Sequence, residues 1–93
     1  MIDAEQLIAA NNQLDRLDRH GGRVWTRPVL RLIEKYPNVS VAALARHAKR
    51  DRGDMLREMH RIDELGVTVR TGAGYRLSDL GQAVLHPGDD RLP

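Results

Sequence analysis

The sequence predicts a mainly α-helical domain with a small β-hairpin: a three-helix core, the hairpin, an extra amphipathic helix before them and a short helix after them. Three observations carry that expectation. Apolar residues recur at helical spacing in four successive segments, each opened by a residue of capping type. Between residues 67 and 71 the apolar period changes from helical to two. A Gly72-Ala73-Gly74 turn then leads into a second short apolar–polar alternation.

The first segment opens with Asp3 and Gln6, the spacing of a capping box. Leu7, Ala10, Leu14 and Leu17 then form a stripe, and His20-Gly21-Gly22 ends a helix of roughly residues 4–19. The stripe has the three-four spacing of a coiled-coil seam, so these four residues either pack on their own domain or form a homodimer interface. The second segment takes Thr26 as N-cap with Pro28 in its first turn. Its face is Val29, Leu32, Ile33 and Tyr36, ended by Pro37-Asn38, and Trp25 is expected in the core or at a subunit contact.

Ser40 caps the third segment, whose inner face of Val41, Leu44, Ala45 and Ala48 uses small residues that let helices approach closely. Lys49-Arg50 makes the junction. Asp51 caps the fourth segment with Asp54 at its N3 position, and Met55, Met59, Ile62 and Leu65 point inward before Gly66 ends it. A methionine stripe at this spacing is core material. In the hairpin, alternation places Val67, Val69, Tyr75 and Leu77 inward and Arg70 and Arg76 on the outer face. Ser78 caps a last short helix containing Leu80, Ala83, Val84 and Leu85, after which His86-Pro87-Gly88-Asp89-Asp90 has no periodicity. The organisation is therefore an N-terminal helix over 1–22, a domain over 23–86 and a disordered tail over 87–93.

Ninety-three residues suffice for one modest core. With no cysteine, a disulfide scaffold and a thiolate zinc site are excluded. The four histidines lack metal-ligand spacing, so no metal or cofactor is expected. Gly72-Ala73-Gly74 is too short for a phosphate loop, and Ser40 and Ser78 read as caps, so the chain is not expected to be an enzyme. The opening MIDAEQLIAANNQ lacks a basic stretch followed by an apolar run, and no stretch nears the roughly 20 apolar residues of a membrane helix. A cytoplasmic location without membrane contact is expected.

The formal net charge of +2 is unevenly spread: residues 21–76 carry twelve Lys/Arg against six Asp/Glu, while both flanking segments are net acidic. A basic centre suits phosphate neutralisation. With three aromatic residues and no phenylalanine, a base-stacking surface for single strands or RNA is hard to build.

Helix, turn, helix and hairpin in that order is the layout of a winged helix-turn-helix module. Leu44-Ala45-Arg46 followed by Met55, Met59, Ile62, Leu65 and Gly66 resembles the signature of MarR-, IclR- and ArsR-like bacterial regulators. Leu65-Gly66-Val67-Thr68-Val69 with Gly74-Tyr75-Arg76-Leu77 is similar to the DNA-binding domain of biotin-ligase-type repressors. Ser78-Asp79-Leu80-Gly81 is similar to the Leu-Thr-x-x-Gly element that follows the wing in MarR-type proteins. The resemblance covers roughly residues 26–86 and departs at Lys49-Arg50, which replace the usual turn glycine and its apolar successor. That departure predicts a looser turn, with the preceding helix running on.

The resemblance implies a sequence-specific, double-stranded DNA-binding transcriptional regulator acting as a homodimer. A helix from about Arg52 to Leu65 would enter the major groove, with Arg52, Gly53, Leu56, Arg57, His60 and Arg61 facing bases. Arg46, Lys49 and Arg50, and in the wing Arg70, Thr71 and Arg76, would contact the backbone or minor groove. Any sensing of a small effector would have to occur in the dimer crevice or through another protein. The alternative is a protein-docking module, favoured by Asp51, Asp54 and Glu58 beside the reading face. The dimerisation domain of some O-methyltransferases ends in a stretch similar to Tyr75-Arg76-Leu77-Ser78.

Overall fold

A computed structural model of the chain describes residues 2–88. In order it contains α1 (Ala4–Gly21), α2 (Thr26–Lys35), α3 (Val41–Ala48), α4 (Arg52–Glu64), β1 (Thr68–Arg70), β2 (Tyr75–Leu77) and α5 (Asp79–Leu85). The described residues are thus mainly helical with one two-stranded antiparallel hairpin. Residues 89–93, most of the expected tail, lie outside the described residues.

Each helix begins where a side chain can accept from an otherwise unpaired N–H. Asp3 and Gln6 close the expected capping box on α1, Ser40 accepts from the Ala43 N–H, Asp51 from Asp54 and Ser78 from Gly81. The exception is α2, where the expectation for Thr26 is overturned. Its N-cap is Trp25, which has no side-chain acceptor, and Thr26 is already helical. The acceptor comes instead from α1. Asp18 Oδ1 accepts from the N–H groups of Trp25 and Thr26 at 2.8 and 2.9 Å, and its Oδ2 accepts from the Thr26 hydroxyl at 3.1 Å. A carboxylate eight residues upstream therefore does the work of a local cap.

The core runs through the middle of all five helices and under the hairpin. Leu14 of α1, Leu30 and Ile33 of α2, Leu44 of α3 and Met55, Met59 and Ile62 of α4 are fully buried. Burying one such side chain contributes about 1.5–3 kcal/mol. With Leu14 completely enclosed and Ala10 5% exposed, α1 is an integral layer packed on α2 and α5.

The hairpin pairs Thr68 with Leu77, Val69 with Arg76 and Arg70 with Tyr75. Cross-strand partners share a face, so the inward set is Thr68, Tyr75 and Leu77, not Val69. Val67, Tyr75 and Leu77 are buried as expected, and the departure is confined to β1, where Thr68 and not Val69 faces inward. Gly66, at φ +79°, and a fully buried Val67 precede the strand, and the Thr68 hydroxyl donates to Asp63 at 2.9 Å, which lets a polar residue face inward. A single bridge from Val39 to Tyr75 ties the hairpin to the α2–α3 connection. Gly74 permits that contact: a Cβ there would stand 2.0 Å from the Val39 carbonyl oxygen.

Candidate nucleic-acid interface

Helix α4 is positioned by what it buries. With Met55, Met59 and Ile62 fully enclosed, the remaining positions are forced outward. Arg52, Gly53, Leu56, Arg57, His60 and Arg61 are all exposed, so the six residues expected to face bases form one solvent row. Leu56 stands out as an apolar side chain 42% exposed among charges.

The junction ahead of this helix differs from expectation. Helix α3 does not run on; it stops at Ala48, and Lys49 takes the left-handed conformation at φ 55°, ψ 49° that glycine usually fills. The Lys49 N–H donates to Arg46 O at 3.2 Å and the Arg50 N–H to Ala45 O at 2.9 Å, the double bond pattern of a Schellman termination. The turn is therefore tight without glycine, and it leaves Lys49 and Arg46 exposed beside the start of α4.

Not every expected cation is free. Arg57 pairs with Asp54 one turn earlier, but the two side chains are 68% and 48% exposed, so the pair is weak and easily exchanged for another partner. Arg50 is held more firmly. Its guanidinium donates to Glu58 Oε2 at 2.5 Å, and Arg23 from the α1–α2 connection reaches the same oxygen at 3.3 Å. The other oxygen, Oε1, is buried without a hydrogen-bond partner. Burial pushes the Glu58 carboxyl above its ordinary range, against the lowering pull of Arg23. Arg50 is thus a clamp between α4 and the preceding turn, where a simple phosphate contact was expected.

In the hairpin, Arg70 and Arg76 are exposed, but on opposite faces. Arg70 lies on the Tyr75 side, its guanidinium 5.8 Å from that ring, whereas Arg76 shares the Val69 side. Arg70 belongs to β1, the strand that packs on α4, whereas β2, which carries Arg76, packs on α2 and α5. Thr71 is occupied in the turn itself, its hydroxyl accepting from the Ala73 and Gly74 N–H groups at 3.3 and 3.0 Å.

The α1 stripe is spent within the protomer. Ala10 and Leu14 are buried, and Leu7 and Leu17 are half-buried against the same core. All four pack on their own domain, and the large apolar side chain that α1 leaves exposed is Ile8, at 60%. The histidines are dispersed: His47 stacks on Tyr36 with ring centroids 4.3 Å apart, and His86 Nε2 lies 2.6 Å from Glu34 Oε2. Among the described residues no group of three or more His, Asp or Glu side chains is arranged to hold a metal ion, and no helix is long and apolar enough to cross a membrane.

Two residues of consequence escaped sequence reasoning. Asp18 directly follows Leu17, the last stripe position, and reads as a surface acid. Glu58 reads as part of a charged face. The packing of α1 on the start of α2 reveals the first, and the approach of Arg23 and Arg50 to α4 the second. Comparison with protein-family models, with curated proteins and with solved structures found no match to this chain.

Proposed function

We propose that this chain is a winged helix-turn-helix regulator of transcription that binds double-stranded DNA in a sequence-specific manner. The observation that carries the reading is the solvent row on α4. Arg52, Leu56, Arg57, His60 and Arg61 project together from a helix whose opposite face is locked into the core. A rigid helix with guanidinium groups and one apolar side chain on its open face matches what major-groove recognition uses: bidentate arginines on guanine and an apolar contact to a thymine methyl. Arg46 and Lys49, at the tight turn, are set to hold phosphates, and Arg70 and Arg76 extend that contact along the hairpin.

In this reading two copies bind half-sites about one DNA turn apart. With Ala10 and Leu14 of the stripe buried internally and Leu7 and Leu17 half-buried, the dimer would use the outer side of α1 around Ile8, together with α5.

One observation favours the second reading, a protein-docking module. Asp54 engages Arg57 and, with Asp51, places carboxylates at the start of the same helix, where they repel phosphates. Selection of bound duplexes from a random pool, followed by titration at several salt concentrations, separates the two. The DNA reading expects a defined motif, affinity falling steeply with salt, and Arg57→Ala costing about 1–3 kcal/mol at one base position. It is refuted if no duplex binds tighter than about micromolar at low salt.

A further inference from the structure

The acids of α4 hold arginines in two different ways. The Asp54–Arg57 pair is open to solvent and exchanges readily for another partner. The Glu58 cluster is closed: its side chain is 16% exposed and that of Arg50 23%. Glu58 Oε2 accepts from Arg50 at 2.5 Å and from Arg23 at 3.3 Å, while Oε1 is buried with no partner among the described residues. Two guanidinium groups thus crowd one oxygen and none serves the other.

That asymmetry has a chemical consequence. Oε1, with no donor of its own, takes a proton from solvent at least cost, and Oε2 then remains only as a neutral acceptor. A charge-assisted hydrogen bond is about twice as strong as a neutral one, so one protonation loosens both arginines. Burial of the carboxyl favours its neutral form and Arg23 opposes it; on α4 itself Asp54 favours the neutral form and Arg61 opposes it. Arg50 is also placed to act elsewhere. It follows Lys49 directly and precedes Asp51, the N-cap of α4, in the turn where Arg46 and Lys49 stand exposed. When Arg50 leaves, Arg23 stays on Oε2, so Glu58 is not stranded as an unpaired buried charge.

Resting on the DNA-binding reading above, we propose that Glu58 is a positioning residue that withholds Arg50 from the phosphate backbone, and that neutralising Glu58 releases Arg50 to make one further phosphate contact. The folded chain then has a clamped form of lower duplex affinity and a released form of higher affinity. Acidification shifts it from the first to the second.

The test uses a duplex selected from a random pool with both the parent chain and Glu58→Gln. It is titrated at several salt concentrations with the parent, Glu58→Gln, Arg50→Gln and the double variant. Glu58→Gln should bind at least about fivefold tighter at low salt and steepen the slope of log affinity against log salt by about 0.9, one phosphate. Arg50→Gln should weaken binding at least about fivefold more in the Glu58→Gln background than in the parent. Loss of an acid that merely repelled DNA would give no such coupling, so additive substitutions overturn the proposal, as does an unchanged slope. From neutral to mildly acidic pH the parent should approach Glu58→Gln, and a constant ratio between the two also overturns it. The Arg50 guanidinium signals of the ¹⁵N-labelled chain read the clamp without DNA. They should be slowly exchanging and distinct in the parent and collapse to the free-arginine position in Glu58→Gln; signals that do not respond refute the clamp. Where they respond but neither protein binds any duplex tighter than about micromolar at low salt, it is the DNA reading that has failed, and the proposal falls with it.

Discussion

Replacing Asp18 should unfold this protein more readily than any other single change at a charged residue. Its carboxylate accepts three hydrogen bonds from the start of α2, and the residues that donate them, Trp25 and Thr26, are 4% and 0% exposed. Asp18→Ala therefore leaves two backbone N–H groups that water cannot reach. A buried unsatisfied group costs about 1–3 kcal/mol; with partial relaxation the pair should cost about 3 kcal/mol. In a domain of this size each kcal/mol shifts the thermal midpoint by about 4–8 °C, so the midpoint should fall by more than about 10 °C. Asp18→Asn keeps one oxygen for both N–H groups, and its amide can donate to the Thr26 hydroxyl. It surrenders the attraction to Arg27, 3.6 Å away, and should cost about 1 kcal/mol. Thr26→Val removes a single bond and should cost a similar amount. Urea and thermal unfolding of the three variants, with the Asp18→Ala/Thr26→Val double variant closing a cycle, measure all of this. The reasoning is wrong if Asp18→Ala lies within about 0.5 kcal/mol of the parent, or if the two substitutions add without coupling.

Lys49→Gly relieves a left-handed lysine and should stabilise the chain by about 0.5–1 kcal/mol while weakening duplex binding; a stability loss in urea melts would contradict the turn assignment. Glu58 has a folded-state pKa above the ordinary 4.5, so between those two values the native state holds a proton that the unfolded chain has lost. Its contribution is present in full below the ordinary value and is lost as pH rises through the raised one. Glu58→Gln should flatten that part of the stability–pH curve and leave stability at neutral pH equal or higher, whereas a loss of about 3 kcal/mol or more at neutral pH would show that the arginine pairs outweigh burial. Gly74→Ala drives a Cβ into the Val39 carbonyl and should cost about 2 kcal/mol or more, with faster amide exchange at Tyr75. Gly72→Ala, with nothing within 4 Å, is the control that should change little.

The helices were legible because their signals are local. A buried stripe such as Met55, Met59 and Ile62 defines its own complement, so the exposed row on α4 could be named from spacing alone. The hairpin was legible as an element and its second strand in phase, with Tyr75 and Leu77 inward, but the phase of the first strand was not. Its register depends on where Gly66 turns the chain and on an Asp63–Thr68 hydrogen bond, neither of which alternation encodes. Charge pairing was least legible. Glu58 draws one arginine from 8 residues away and another from 35, and no pattern of spacing links them. That distinction bears on function as well as on fold. The basic excess over residues 21–76 counts Arg23, Arg27 and Arg50 as though they were available, yet each is bound to a carboxylate of its own protein. Of the other nine, Arg57 is paired with Asp54 and Arg31 and Lys35 lie on α2, which leaves six at the turn, α4 and the hairpin: Arg46, Lys49, Arg52, Arg61, Arg70 and Arg76. Because each neutralised phosphate contributes about 0.9 to the slope of log affinity against log salt, the proposed DNA binding would be governed by that smaller set and not by the formal charge.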